Sequence, residues 1–334
     1  MAKSNVPQQP KPKIVIFTTG GTILSEMDPD SGIVTPALTG KQLLGLVETL
    51  GSRFDVESVE FCNMPGSDLS LRDGLALAKA IRAAQARDEV QGVVVLQGTD
   101  TMDEIPYLIH LIVPTQKPVV FTGSMKSMKD IYSDAVGNVL GATEVAANPA
   151  SANRGVLVYF NETIFSAADL IKSHASRIDA FDASFGPMGS IVSGQIHYVR
   201  TGNPGPVYDI DQVDINVPLL KVYAGVENDL LEYCLDHGAK GLVIEGYGSG
   251  NVPATMVPAL QRALDMGVPV VITTRCIRGE SYACYGYVGG GAQLSQLGVI
   301  LAGPLSGIKS RILLTVLLAA GADHEHIRDA FSDS

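Results

Sequence analysis

Six hydroxyl side chains stand where apolar runs break: Thr19, Thr22, Ser67, Thr99, Thr101 and Ser124. Two of the breaks share one pattern. Ile14-Val15-Ile16-Phe17 leads into Thr18-Thr19-Gly20-Gly21-Thr22, and Val93-Val94-Val95-Leu96 leads into Gln97-Gly98-Thr99-Asp100-Thr101. A short apolar run bounded by glycine reads as a buried strand, and in an open α/β sheet the carboxyl ends of such strands are where ligands bind. A threonine hydroxyl is a poor nucleophile until a base takes its proton, so a catalytic reading needs a carboxylate or an amine within hydrogen-bond reach. Asp100 and several lysines are available. A lone threonine at a strand end is ordinarily structural, since it favours strands and caps helices. Two glycine–threonine tips change that weighing, because glycine is conformationally costly and lets a ligand approach the backbone.

Positioning such tips is the work of the surrounding elements, and the chain alternates between two patterns. Strands are expected over 14–17, 56–64, 93–97, 118–122 and 155–160, with helices over 40–50, 72–87, 102–112 and 133–147. That alternation implies right-handed βαβ units and a largely parallel sheet. Residues 191–198 read as an antiparallel hairpin strand, which makes the sheet mixed. Residues 25–39, with Asp28-Pro29-Asp30-Ser31-Gly32 and Pro36, carry turn chemistry and the length of a functional lid. A second series follows: strands 221–224, 241–245 and 268–273, helices 229–237, 253–266, 306–320 and 323–331, and a Gly289-Gly290-Gly291 turn. The fold expected is α/β, with a larger N-terminal domain built on a mixed, mostly parallel sheet flanked by helices. A smaller C-terminal, flavodoxin-like parallel α/β domain follows it. The divisions are a flexible lead-in over 1–12, the catalytic domain over 13–203, a linker over 204–218 containing Pro204-Gly205-Pro206, and the second domain over 219–334.

Composition narrows the function. The 334 residues are 46% hydrophobic and 18% charged, an ordinary globular balance. A net charge of −11 without a lysine or arginine cluster argues against nucleic-acid binding. The longest apolar runs fall short of a membrane span, and the N-terminus lacks the apolar core of a secretory signal. Cys62, Cys234, Cys276 and Cys284 show neither zinc-site spacing nor a disulfide framework, which suits a reducing, cytoplasmic setting. No GxGxxG follows a strand, and Walker, HExxH and GxSxG signatures are missing, so dehydrogenase, nucleotidase, zinc-hydrolase and serine-hydrolase readings weaken. His324-Glu325-His326 has the wrong spacing for one helix face and reads as a solvated helix end.

Taken together, Thr19-Gly20-Gly21-Thr22-Ile23 and Gly98-Thr99-Asp100-Thr101-Met102 resemble the paired signatures of the bacterial-type L-asparaginase/glutaminase family. The likeness extends through Lys117-Pro118-Val119-Val120, Gly123-Ser124-Met125, the 152–158 stretch Ala-Asn-Arg-Gly-Val-Leu-Val, and Gly248-Ser249-Gly250-Asn251, in order over nearly the whole chain. The resemblance implies an amidohydrolase, most simply an L-asparaginase, that needs no cofactor or metal. Thr22 would attack the side-chain amide carbon to form an acyl-enzyme. Lys172 and Thr99 would handle protons, Asp100 would hold the substrate amino group, and the N–H groups of Thr99 and Ser124 would stabilise the oxyanion. Gly21, Gly66, Ser67, Asp68, Gly98 and Met125 would line the substrate. Asn251 and Glu280 would reach the site of a neighbouring subunit in a homodimer or homotetramer. A lysine in a closed, dry site would have its charged form disfavoured.

Two departures from the family pattern touch substrate handling. The loop tyrosine that assists the nucleophile in relatives is missing: no tyrosine lies between Thr22 and Tyr107, which leaves Thr35, a water or a tyrosine such as Tyr282 to assist. Aligned on Asp68, the side chains that would meet a substrate carboxylate are replaced by Gly66 and Ser67. Other small amides, glutamine and D-asparagine among them, therefore stand beside L-asparagine as substrates. An ammonia-generating subunit of a larger amidotransferase and a non-catalytic small-molecule binding protein are the readings from other classes.

Overall fold

The computed structural model describes residues 10–332 apart from 28–30, 32–33, 37–41, 43–44 and 46–47. Residues 1–9 of the lead-in and most of the helix expected over 40–50 lie outside these residues. In chain order the first half contains β1 (Lys13–Thr18), β2 (Ser25–Met27), β3 (Val34–Pro36), α1 (Glu48–Arg53), β4 (Asp55–Glu60), α2 (Leu71–Gln85) and β5 (Val90–Leu96). Next come α3 (Ile105–Ile112), β6 (Val119–Thr122), α4 (Ala135–Ala147), β7 (Leu157–Phe160) and β8 (Thr163–Ser166). β9 (Leu170–Lys172), β10 (Phe181–Ala183), β11 (Gly189–Val192) and β12 (Gln195–Tyr198) complete it. Eight of these strands form one sheet in the order β12-β11-β8-β7-β6-β5-β1-β4. The five strands from β4 to β7 run parallel, while β8, β11 and β12 are joined antiparallel.

The run of apolar residues in β1 and β5 is explained by burial on both faces. Ile14, Ile16, Val94, Leu96 and Val120 meet Val139, Ala142 and Val145 of α4, whereas Val15, Phe17, Val93, Val95 and Phe121 meet Leu75, Ala78 and Ile81 of α2 and Leu108 of α3. Each side chain so enclosed contributes about 1.5–3 kcal/mol. Ser70 starts α2 with a capping box: its hydroxyl accepts from the Asp73 N–H, and its own N–H donates to the Asp73 carboxylate at 2.9 Å.

The second half holds β13 (Leu219–Lys221), α5 (Asp229–Asp236), β14 (Leu242–Gly246), α6 (Val257–Asp265), β15 (Val270–Thr274), α7 (Gly291–Leu297), β16 (Ile300–Leu301), α8 (Gly307–Ala319) and α9 (His324–Ser332). Its four strands are parallel and lie side by side in chain order. Leu242, Ile244, Val270 and Ile272 face Leu231, Leu260 and Leu294, while Val243 and Val271 face Ile312 and Leu313 of α8. The molecule is thus α/β throughout, a large mixed sheet followed by a small parallel one. No helix among the described residues is long and apolar enough to cross a membrane.

Several expected elements shift. The helix expected from 102 begins at Ile105, behind a 3-10 turn over Thr99–Thr101, with Pro106 in its first turn where a missing N–H costs nothing. The 25–39 segment is not turn alone, since β2 and β3 pair as an antiparallel ribbon. The strand expected over 221–224 ends at Lys221. The β7–β8 hairpin and the β9–β10 ribbon were not expected, and the triple glycine opens α7. At the start of α9, His326 is exposed and pairs with Asp323 at 2.7 Å, as a solvated helix end should.

At the carboxyl edge of the large sheet, strand tips meet backbone to backbone. Gly20 and Gly21 have φ of +107° and +90°, a left-handed region that favours glycine. A Cβ on Gly21 would stand 2.3 Å from the Gly98 Cα, one on Gly98 would stand 2.8 Å from the Gly66 Cα, and one on Gly123 would stand 2.3 Å from the Gln97 carbonyl oxygen. Backbone hydrogen bonds continue across the tips: Thr19 N–H donates to Leu96 O at 3.0 Å, Met64 N–H to Thr19 O at 2.9 Å, and Gln97 N–H to Thr122 O at 2.9 Å.

Three stability measurements follow. Gly21→Ala lowers unfolding free energy by about 2–5 kcal/mol, because strain and overpacking act together. Gly137→Ala, on an open face of α4 with nothing within 4 Å, raises it by about 0.5–1 kcal/mol. Burial, helped by the Lys309 charge, pushes His110 of α3 down to about 4 from an ordinary 6.5, while its Nδ1 accepts the Val156 N–H at 3.2 Å. Below pH 6.5 the unfolded chain takes a proton that the native ring refuses, so this group's contribution is lost as pH falls toward 4. Urea unfolding at about pH 7.5 and about pH 5 should differ by about 2 kcal/mol from His110, and His110→Gln should remove that difference.

Candidate active site

The hydroxyls at the strand tips separate into two groups once their partners are known. Thr19 Oγ1 donates to Leu96 O at 3.3 Å, Thr101 Oγ1 to Gly66 O at 2.9 Å, and Ser124 Oγ to Lys126 O at 2.7 Å. The first two fasten neighbouring tips together, and the third closes the turn of its own tip. Thr99 differs, since Lys172 Nζ donates to its Oγ1 at 3.1 Å. The same ammonium donates to Asp100 Oδ1 at 2.7 Å.

Each member of this trio arrives by a different local device. Thr99 and Asp100 open the 3-10 turn that follows Gly98, with Thr99 buried and Asp100 exposed. Lys172 ends β9, a strand outside the large sheet that pairs with β10, and its N–H donates to Asp103 Oδ2 at 3.4 Å. Its side chain is 16% exposed against 63% for Asp100, so the lysine is largely covered but its ion pair opens to solvent. The closed, dry surroundings expected for this lysine are therefore not its setting in the isolated chain. An amine within 3.1 Å of a hydroxyl is close enough for proton exchange between them.

Thr22 is partly buried and begins a 3-10 turn over Thr22–Leu24, directly after the Gly21 backbone that presses on Gly98. The β2–β3 ribbon folds back beside this turn. Gly66 is the third tip in the same contact, and Ser67 and Asp68 continue from it as an exposed 3-10 turn in which Ser67 Oγ donates to Asp68 Oδ1 at 3.4 Å. Gly21, Gly66 and Gly98 thus bring Thr22, Ser67 and Thr99 to one edge.

Ser124 and Met125 sit on the adjoining tip, held by two residues that the sequence reading missed. Asp134 accepts from the Met125 and Lys126 N–H groups, both at 3.0 Å. Asn138 donates to Gly123 O at 3.0 Å and to Asp134 Oδ2 at 2.8 Å, and accepts the Asn161 N–H at 3.0 Å. The Met125 N–H is therefore committed within the chain. The signal was present in sequence as an aspartate before a helical run and an asparagine one turn later on its buried face.

Asn251 and Glu280 are not drawn into this cluster. Asn251 Oδ1 accepts the Gly291 N–H at 3.1 Å and its backbone bridges to Tyr247. Glu280 is exposed on the loop before Ser281. Tyr282, 53% exposed, donates its N–H to Ser249 O at 3.1 Å, and the Thr35 side chain lies outside the described residues. A cavity of about 740 Å³ lies elsewhere, bounded by α3, α8 and the 200–208 segment, and none of the sequence-predicted site residues lines it. Among the described residues no group of three or more His, Cys, Asp or Glu side chains could hold a metal ion.

The whole chain has counterparts. Residues 13–203 match the family described as Asparaginase, N-terminal, and residues 216–331 match the Glutaminase/Asparaginase C-terminal domain. A probable L-asparaginase of Deinococcus radiodurans is 37% identical over 325 residues, covering 96% of this chain and 97% of that protein. An L-asparaginase of Bacillus licheniformis is 31% identical, covering 96% and 98%. The crystal structure of a probable cytoplasmic L-asparaginase from Campylobacter jejuni superposes with a TM-score of 0.86 at 28% identity, over 96% of this chain and 99% of that one. With both domains matched and the two threonine tips meeting at one sheet edge, the chain belongs to the L-asparaginase/glutaminase family.

Proposed function

We propose that this protein is an L-asparaginase, converting L-asparagine and water into L-aspartate and ammonia. The observation that carries the reading is the Lys172 ammonium shared between Thr99 Oγ1 and Asp100 at a tip that touches the backbone before Thr22. In the first half-reaction Thr22 Oγ bonds to the side-chain amide carbon, the C–N bond breaks, and the hydroxyl proton leaves with the nitrogen as ammonia. In the second, water attacks the acyl carbon, the ester C–O bond to Thr22 breaks, and a proton from the water passes by way of Thr99 and Lys172 to Thr22 Oγ, restoring its hydroxyl as L-aspartate leaves. The Thr99 and Ser124 N–H groups are the donors proposed for the oxyanion, a contribution typically of about 2.7–4 kcal/mol for one such donor. Asp100 and Asp68 are the acceptors proposed for the substrate ammonium.

Gly66 and Ser67 offer a substrate carboxylate little beyond backbone and one hydroxyl. This favours relaxed discrimination, because a site rejects an analogue strongly only when its own buried polar group is left unpaired. Glutamine and D-asparagine belong in the substrate panel for that reason. Assembly as a homodimer or homotetramer, with Asn251 and Glu280 serving a neighbour's site, is part of the proposal. Exposed Ile277, Tyr282, Tyr285, Tyr287 and Val288 give the 275–288 loop an apolar surface that suits it. Four free cysteines suit a cytoplasmic setting.

Ammonia release from L-asparagine should proceed without added metal or nucleotide, and Thr22→Ala and Lys172→Met should each lower kcat by about a thousandfold or more while leaving the fold intact. Turnover in Thr22→Ala equal to that of the unaltered protein removes the mechanism.

A further inference from the structure

We propose that Lys309, on helix α8 of the C-terminal half, is a positioning residue for the Thr99–Asp100–Lys172 cluster. Its Nζ ties together the two N-terminal segments that carry this cluster. The inference rests on the threonine–lysine mechanism above and assigns a role to a side chain which that mechanism does not use.

Lys309 is only 2% exposed, on a helix whose other buried side chains include Ile312, Leu313, Leu314, Val316 and Leu317. An ammonium in such surroundings is expensive, and an apolar residue of similar volume would avoid the cost. Burial pulls it down to about 8 against the opposing influence of Asp103, Asp169 and Glu104. What the charge obtains is a specific set of partners. Nζ donates to Asp103 O at 3.0 Å and to Ala167 O at 2.7 Å, and it stands 4.6 Å from the centroid of the Tyr107 ring.

Those two carbonyls are not arbitrary. Asp103 closes the turn that begins with Thr99 and Asp100. Ala167 lies just before β9, the strand that delivers Lys172. Asp103 is linked in both directions, because its carbonyl holds Lys309 while its carboxylate accepts the Lys172 N–H at 3.4 Å. The spacing between the Thr99 turn and β9 is thus set through one ammonium from the other half of the chain. Shortening or lengthening it would alter the 3.1 Å approach of Lys172 Nζ to Thr99 Oγ1. A positioning error of this kind lowers the rate of the chemical step more than it weakens substrate binding.

The test compares Lys309→Met, Lys309→Gln and Asp103→Ala with the unaltered protein and with Thr22→Ala and Lys172→Met, reading kcat and KM for L-asparagine and the circular-dichroism spectrum. The expected result is a kcat about tenfold lower in Lys309→Met and in Asp103→Ala, with KM changed less than about threefold. Asp103→Ala keeps the carbonyl that Lys309 holds and removes the carboxylate that accepts the Lys172 N–H, so it reads the second arm of the same spacing. A folded Lys309→Met with kcat within twofold of the unaltered protein overturns the inference. If Lys309→Met fails to fold, Lys309→Gln, whose shorter and uncharged side chain relaxes both carbonyl contacts, decides, and a kcat within twofold of the unaltered protein overturns the inference. Should Thr22→Ala and Lys172→Met keep their turnover, the underlying mechanism fails and this inference with it. Should they lose it while the Lys309 and Asp103 variants do not, only the positioning role fails.

Discussion

The site depends on three backbones meeting where no Cβ intervenes. Gly21, Gly66 and Gly98 end the tips of β1, β4 and β5, and any larger residue at Gly21 or Gly98 would collide with the neighbouring main chain at under 3 Å. Neighbouring parallel strands lie about 4.8 Å apart, and their tips normally splay where pairing stops. Here glycine lets them stay in contact for one residue more. The residue after each glycine carries a hydroxyl, so the contact that closes the sheet edge also gathers Thr22, Ser67 and Thr99. A hydroxyl held by strand tips in this way moves less than one carried by a free loop, which gives the proposed nucleophile and proton acceptor a fixed geometry before a substrate arrives.

Lys172 reaches the same edge by an independent route, which gives the cluster a second constraint. The β9–β10 ribbon stands apart from the main sheet and turns tightly, with the Ser173 and His174 N–H groups both donating to Ala180 O, at 2.8 Å and 3.1 Å. Behind it, the buried Asp169 accepts from Arg200 at 2.9 Å. The ribbon is anchored by polar contacts at its base and presents its lysine at the tip. Its position relative to the sheet edge is therefore a matter of side-chain linkages, whereas the hydroxyls are fixed by backbone contact.

This difference explains what the sequence could and could not disclose. β1 and β5 were legible because burial on both faces requires an unbroken apolar run, and the glycine–threonine tips were legible because glycine has a conformational cost that needs a reason. β9 spans three residues, Leu170-Ile171-Lys172, too few for a period to register. Its strand character comes from pairing with Phe181–Ala183, which no local pattern announces. The helix behind the Thr99–Thr101 turn reads as three residues longer than it is, since Met102 and Ile105 continue the apolar spacing that Pro106 starts anew. Lys172 itself emerged only through likeness to a family. Asp134 and Asn138 stand at the start and on the buried face of α4, and their task shows only in the 123–126 backbone folded over them.

Exposure at the substrate end of the edge bears on the proposed assembly. Asp68 and Asp100 face solvent, as does Ser67. A carboxylate in water attracts an ammonium at 4 Å by about 1 kcal/mol, and the same pair gains several-fold when the surrounding dielectric falls. An isolated chain would thus hold a small zwitterionic substrate weakly and leave the acyl-enzyme open to bulk water. A neighbour laid over this edge would raise the value of every polar contact already present without adding any to it. The tips supply direction, and a covering surface would supply the low dielectric in which direction counts. The apolar 275–288 loop and the exposed Glu280, which find no place at the site of their own chain, have the chemistry of such a cover.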